Sequence, residues 1–297
     1  DRVTPRCSVA RQCGGCQIQC LSYEEQLKFK QNKVYNNLVR IGGQDDFVMK
    51  DIIGMEEPFN YRNKAQFPVG IDKEGNIVSG FYAGRTHSII GIDSCDLGLK
   101  LDGRDINKEV MDIVKKFMTK YQIEPYNEVT HKGLVRHVLI RIGAKTKQIM
   151  VCIIINGRKL PNKDELVEKL CKLEGMHSVS LNVNTNKSNV ILGSKIINLY
   201  GPGYIEDYIG DVKFRISPLS FFQVNPVQTE KLYNKALEYA DLSGNEIVWD
   251  LYCGIGSISL FLAKKAKKVL GVEIVPEAIE DARLNAKINK IDNSEFF

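Results

Sequence analysis

Two long apolar runs dominate the middle of the chain. Residues 134–142 and 148–155 are mostly apolar and are joined by a polar turn around Gly143 to Lys147, which predicts a pair of adjacent strands. Helical spacing predicts helices over 23–41, 104–122, 163–173 and 227–240. In the first of these, Ser22 is placed to cap, Glu25 follows three residues later as in a capping box, and Gly42-Gly43 ends the segment. Leu27, Val34 and Leu38 form its apolar side, while Lys28, Lys30, Lys33 and Arg40 dominate the polar one. Residues 47–95 alternate as β-structure, with Asp72-Lys73-Glu74-Gly75-Asn76 as a hairpin turn. Further strands are expected at 178–184, 189–199 and 212–216, and Gly201-Pro202-Gly203 marks a domain boundary. The sum is an α+β arrangement with no internal repeat.

The pattern changes after Leu242. Val248-Trp249-Asp250 reads as a strand ending in an acid, Cys253-Gly254-Ile255-Gly256 as a glycine turn, and residues 258–263 as a helix. Lys268 to Glu273 reads as a second strand ending in an acid, which predicts two strands with their helices from 247 onward. A glycine turn between a parallel strand and a helix lets backbone amides approach a ligand closely. A dinucleotide site wants a third glycine, and Ser259 stands in its place. The carboxylate of Asp250 would be unfavourable beside a pyrophosphate and favourable beside the sulfonium and ammonium of S-adenosylmethionine. Glu273 is placed to hold both hydroxyls of a ribose.

Composition narrows the partners. The 297 residues and 43% hydrophobic content suffice for two domains. No apolar run is long enough to span a membrane and the first residues lack the apolar core of a signal peptide, so a cytoplasmic protein without membrane contact is expected. The net charge of +5 suits a polyanion such as RNA but equally a solvated lysine surface. Arg62, Lys64 and Arg85, interleaved with Tyr61, Phe67, Phe81 and Tyr82, have the composition of a phosphate-contacting and base-stacking face; a two-faced sheet with its charges in solvent has the same pattern. His137, flanked by apolar residues, reads as a packed strand residue, and Cys152 and Cys171 as structural.

Four of the eight cysteines crowd the first twenty residues. Cys7-x5-Cys13-x2-Cys16, with Gly14-Gly15 in between, has the look of a metal-binding loop, completed by Cys20 or by Cys95. Spacing does not separate zinc from an iron–sulfur cluster.

The blocks Asp250-Leu251-Tyr252-Cys253-Gly254-Ile255-Gly256, Ser217-Pro218 and Phe221-Phe222-Gln223-Val224-Asn225 together resemble the RumA/TrmA class of RNA uracil-5 methyltransferases. Tyr61-Arg62-Asn63-Lys64 and Gly80-Phe81-Tyr82 resemble the central domain of that family, and the cysteine pattern resembles its [4Fe-4S] branch. The resemblance runs over essentially the whole chain. It implies S-adenosylmethionine as methyl donor, with Gln223, Tyr252, Gly254, Gly256 and Glu273 contacting it. It implies Cys7, Cys13, Cys16 and Cys95 as cluster ligands, leaving Cys20 out, and an RNA partner in which ribosomal RNA, 23S above all, is favoured over transfer RNA. Arg62, Lys64, Phe81 and Arg85 are its candidate RNA contacts.

The resemblance implies a fold of two kinds: a Rossmann-like methyltransferase domain, incomplete here, after an α+β central domain carrying the cysteine loop. The divisions are residues 1–21 for the ligand loop, 22–203 for the RNA-binding central domain and 204–297 for the first part of the methyltransferase domain. Helix 23–40 is expected to pack on the latter. In this family a cysteine adds to C6 of uracil to activate C5, and a glutamate later removes the C5 proton. Neither block of residues is present, so both groups are expected downstream and the chain alone is expected to be inactive, cut at both ends and monomeric. Cys253, inside the cofactor turn, reads as a small buried thiol and not as that nucleophile.

Overall fold

A computed structural model describes residues 1–297. Its centre is a seven-stranded sheet built from β1 (Lys64–Ile71), β2 (Ile77–Tyr82), β3 (Ile89–Gly91), β4 (Val135–Ile142), β5 (Ile149–Ile155), β6 (Met176–Val183) and β7 (Lys195–Tyr200), in the order β3-β2-β1-β4-β5-β6-β7. Most neighbours are antiparallel; β5 and β6 are parallel, joined by a crossover through α3 (Lys163–Leu170). The turn expected at 72–76 is present, with Asp72 accepting the amides of Glu74 and Asn76 at 2.9 Å each.

The apolar runs of β4 and β5 are buried along their full length because both faces of the sheet are covered. On one face Phe67, Val138, Ile140, Val151, Ile153 and Leu181 pack beneath α3 and α2 (Ile106–Lys120), whose Val110, Val114, Phe117 and Met118 point into the same core. On the other face Leu139, Met150, Cys152 and Ile154 meet the hairpin of β8 (Ile205–Ile209) and β9 (Val212–Ile216). Through that hairpin they join the residues of the C-terminal third. The turn at Gly201 to Gly203 is therefore followed at once by chain that packs back onto the central sheet.

The C-terminal third is a parallel sheet of β10 (Ile247–Asp250), β11 (Lys268–Gly271) and β12 (Ser294–Phe296). With it are α4 (Pro226–Ala240), α5 (Ser257–Leu262) and α6 (Pro276–Ile288). Asn225 caps α4 by accepting the amide of Gln228 at 3.1 Å, and Pro226 fills its first turn. Three strands, not two, follow residue 247. The third, Ser294-Glu295-Phe296, is too short for a periodic signal and is a strand because it pairs with β11.

Two other expectations are corrected. Residues 47–63 form no regular strand, and the β-structure expected over 189–199 narrows to β7; residues 185–194 are instead a loop held by Asn182 and Asn184 side chains bonded to the carbonyls of Gly193, Val190 and Ile191. The first helix splits into α1 (Tyr23–Asn36) and a π-helical turn, Asn37–Ile41. Ser22 caps it, but Glu25 completes no capping box because its carboxylate is paired with Lys28 at 2.8 Å. α1 buries no residue fully. It reaches the C-terminal third through the extended segment after it. Tyr23 Oη accepts from Met55 N and Gln31 Oε1 from Ile52 N, while Gln228 of α4 donates to Ile53 O. No helix is long and apolar enough to cross a membrane.

Candidate active site and thiol cavity

β10 delivers Asp250 to the edge of the glycine turn. Its Oδ2 accepts from Ser259 Oγ at 2.5 Å, and its backbone carbonyl accepts from Val272 N at 2.8 Å. The chain then turns through Gly254 (φ +54°) and Gly256 (φ +79°), both left-handed, and α5 starts at Ser257. A Cβ on Gly256 would stand 3.1 Å from the Phe296 ring and 3.3 Å from Ala282, whereas one on Gly254 would meet nothing within 4 Å. The first glycine thus leaves open space beside the backbone, and the second permits close packing of strand, turn and helix.

Glu273 follows β11 and bends back over the turn. Its two oxygens accept from Gly254 N and Val275 N, each at 3.1 Å. Tyr252 projects outward and is 91% exposed. Gln223 sits on the loop before α4, beside the buried Tyr233 hydroxyl, which bonds Ser257 Oγ at 2.8 Å. All five residues expected to meet a cofactor therefore surround one turn. Burial pushes the Tyr233 phenol up, and Asp250 adds to the effect.

The Gln223 loop is held from the central sheet. Asn63 N donates to Val224 O at 3.0 Å, Asn63 Nδ2 donates to Gln223 O at 3.1 Å, and the buried Arg141 guanidinium donates to Ser220 O. Arg141 and Tyr233 escaped the sequence reading, and Ser259 entered it only as the residue in place of a third glycine. Asn63 lay inside a quoted motif just before β1, but no periodicity tells which polar residue beside a covered sheet meets the loop before α4.

Cys253 is buried under the turn. Its thiol is pushed up to about 12, first by burial and then by Asp250 and Glu273. A buried thiol that resists ionisation is a poor nucleophile. Cys152 is likewise buried, within β5, and pushed up to about 12 by burial.

The thiol loop lies against the hairpin edge of the central sheet. Gly14 N donates to Tyr82 O at 2.9 Å, where Cys13 and Ala83 form an antiparallel bridge. Cys7, Cys13 and Cys16 from the loop and Cys95 from the segment after β3 line one cavity of about 270 Å3. Cys20 is not among its lining residues. The Cys16 thiol is pushed up to about 11 by burial and then by Cys95, Cys13 and Cys7. No three His, Cys, Asp or Glu side chains in the chain converge tightly enough to hold a single metal ion. A tetrahedral zinc site would hold its sulfurs about 3.8 Å apart, from a zinc–sulfur bond of about 2.3 Å. Cys7, Cys13, Cys16 and Cys95 share one void and are the side chains that would hold a metal group there.

The candidate RNA contacts divide. Arg62, Lys64 and Phe81 line the thiol cavity. Phe81 also packs against Phe67, with ring centroids 5.1 Å apart. Arg85 stands apart, exposed, in the tight turn after β2 at φ +63°. Burial, then Arg141 and Arg62, lowers the Lys64 amine to about 8. His137 is buried with both ring nitrogens unpartnered, as a packed strand residue, and burial lowers it to about 4.

Residues 23–297 match the family described as tRNA (Uracil-5-)-methyltransferase. An uncharacterised RNA methyltransferase of Clostridium tetani is 51% identical over 298 residues, which is 100% of this chain and 63% of the relative. One of Bacillus cereus is 51% identical over 296 residues, again 63% of its own length. The chain thus spans less than two thirds of these relatives. Among solved structures, the Pyrococcus abyssi tRNA (uracil-54, C5)-methyltransferase in complex with S-adenosyl-L-homocysteine superposes with a TM-score of 0.78 at 29% identity, over 96% of this chain and 65% of that one.

Proposed function

The chain belongs to the tRNA (uracil-5-)-methyltransferase family, the RumA/TrmA type, and from that premise we propose that it forms the central and cofactor-binding parts of an enzyme methylating uracil C5 in RNA. The observation that carries this reading is the open glycine turn, with Glu273, Tyr252 and Gln223 gathered around it. S-adenosylmethionine is the methyl donor. Glu273 takes its ribose hydroxyls, the Gly254 to Gly256 backbone passes beside its methionine part, and Asp250 offsets its positive charge without the repulsion a phosphate would meet.

Uracil C5 is a weak nucleophile. A cysteine thiolate adds to C6 and moves electron density onto C5, which takes the methyl group while the sulfonium becomes a neutral thioether. A base removes the C5 proton, the double bond re-forms and the thiolate leaves. The target base leaves its stack to be reached. Cys253 and Cys152 are both buried and are not placed for this addition.

In this reading Cys7, Cys13, Cys16 and Cys95 would hold a [4Fe-4S] cluster, which would tie the thiol loop to the segment after β3. The cluster-bearing branch favours ribosomal RNA, 23S in particular. A second reading, transfer RNA, is favoured by the likeness to the solved tRNA (uracil-54, C5)-methyltransferase. Full-length protein, labelled S-adenosylmethionine and transcripts of both RNAs test them: label as 5-methyluridine in 23S rRNA is expected. Label in tRNA alone would select the second reading, and label in neither would end both. A colourless protein with stoichiometric zinc would remove the cluster.

A further inference from the structure

The segment that runs into β1 is fixed from two sides. Arg62 N donates to Leu97 O at 2.8 Å and Leu99 N donates to Arg62 O at 2.9 Å, while Asn63 O accepts from Ile142 N, at the end of β4, at 2.8 Å. Arg62 and Lys64 line the thiol cavity. Asn63, between them, is 4% exposed and points the other way, as alternation along an extended segment requires. There it meets the loop that carries Gln223. Asn63 N donates to Val224 O at 3.0 Å and Asn63 Nδ2 to Gln223 O at 3.1 Å. Residues 221–224 make no other backbone hydrogen bond. The remaining ties of the loop lie at its ends, where Arg141 donates to Ser220 O and Asn225 caps α4. The Gln223 side chain lies beside the Tyr233 hydroxyl, which bonds Ser257 Oγ at the first residue of α5. One residue beside the central sheet therefore sets where Gln223 stands against the glycine turn.

We propose that Asn63 is a positioning residue for the methyl donor. The inference rests on the reading of Gln223 as a cofactor contact. Asn63 acts through Gln223 and reaches no reacting atom. A loop without its own hydrogen bonds samples many conformations, and a ligand that needs one of them must order the rest. Two donors from Asn63 on consecutive carbonyls order the loop before the cofactor arrives. The group facing Gln223 O must be a donor, which a carboxamide supplies and a carboxylate does not. The Asn63 Oδ1 has no partner, so the side chain holds the loop through Nδ2 alone.

The test is calorimetric titration of the full-length protein with S-adenosylhomocysteine, with folding followed by urea denaturation. Asn63→Ala and Gln223→Ala are each expected to weaken binding about tenfold, and the double variant to bind no more weakly than Gln223→Ala alone. Losses that multiply, to about a hundredfold in the double variant, would show that Asn63 acts independently of Gln223 and overturn the proposal. Asn63→Ser, which leaves a smaller void, takes its place in the same cycle if Asn63→Ala fails to fold. Phe117→Leu, in the core on the other face of the sheet, lowers stability without touching the loop and should bind as the wild type does. An equal loss of binding there would make the effect one of general stability and overturn the proposal. In turnover with RNA, Asn63→Ala is expected to raise KM for the methyl donor with kcat kept; a fall in kcat at unchanged KM would contradict the role. A wild-type protein that binds no S-adenosylhomocysteine ends the cofactor reading itself. Wild-type affinity in Gln223→Ala removes Gln223 from the site and Asn63 with it, whereas wild-type affinity in Asn63→Ala alone overturns the role of Asn63 and leaves the cofactor reading intact.

Discussion

Gly254 and Gly256 stand two residues apart, share a left-handed backbone and do different work. The open side of Gly254 faces the position proposed for the cofactor, so Gly254→Ala is expected to cost roughly 1 kcal/mol of stability. The same change should weaken S-adenosylhomocysteine binding about tenfold or more, read by titration calorimetry. Gly256→Ala forces its methyl group against Phe296 and Ala282, and about 1–3 kcal/mol should appear in the urea midpoint. Equal binding losses with equal stability losses would contradict this division. His137 gives a pH dependence. Its folded value, about 4, lies below the ordinary 6.5, so the unfolded chain binds a proton that the folded chain refuses. The stability it supports is complete above pH 6.5 and falls away towards pH 4, by up to about 3 kcal/mol. His137→Phe should flatten urea-derived stability across that window, and an unaltered slope would show that other groups carry it. The packed character of His137 was legible from its apolar neighbours. Its lack of a partner was not, because that depends on the sheet face Tyr82 and the opposite layer close.

At the scale of elements, α6 is tied to the glycine turn through Asn285 and to the loop before α4 through Asp281, which accepts from Ser220 Oγ at 2.9 Å. Asn285 of α6 is buried; it accepts from Arg215 N of β9 at 2.9 Å and donates to Ile255 O in the glycine turn at 3.1 Å. Asn285→Ala strands two backbone groups and is expected to cost about 2–6 kcal/mol, at roughly 1–3 kcal/mol per unsatisfied group. Hydrogen exchange at the turn should rise with it, and unchanged protection at Ile255 would refute the role. Elements with their own signal, such as α2, α4 and the β4–β5 pair, were legible to within a few residues. β12 was not, since three residues carry no period and only β11 makes them a strand. The helix at 23–41 was legible as a helix but not as one interrupted by a π turn.

At the scale of the molecule, the central sheet and the C-terminal third share a core. Phe214 of β9 is fully buried there, its ring centroid 5.8 Å from that of Phe222 and its cluster reaching Leu139 and Ile154 of the sheet. Phe214→Ala should cost about 3–5 kcal/mol and lower one cooperative transition of both parts in calorimetry. Two transitions, only one of them shifted, would show that the parts unfold independently. The parallel sheet also presents Trp249, 60% exposed, on its outer edge strand. The sequence by itself determined the elements with strong periodicity, the glycine turn with its two acids, and the thiols of the first loop, because local backbone preference and residue chemistry are written in short stretches. Spacing left Cys20 and Cys95 as alternatives and the family resemblance implied Cys95; the tertiary structure puts Cys95, and not Cys20, on the cavity of the loop thiols. It alone placed Lys64 and Arg62 on that cavity, and Asn63 and Arg141 under the cofactor loop. Those contacts join residues scores of positions apart, and no local pattern encodes which face of a doubly covered sheet meets which partner.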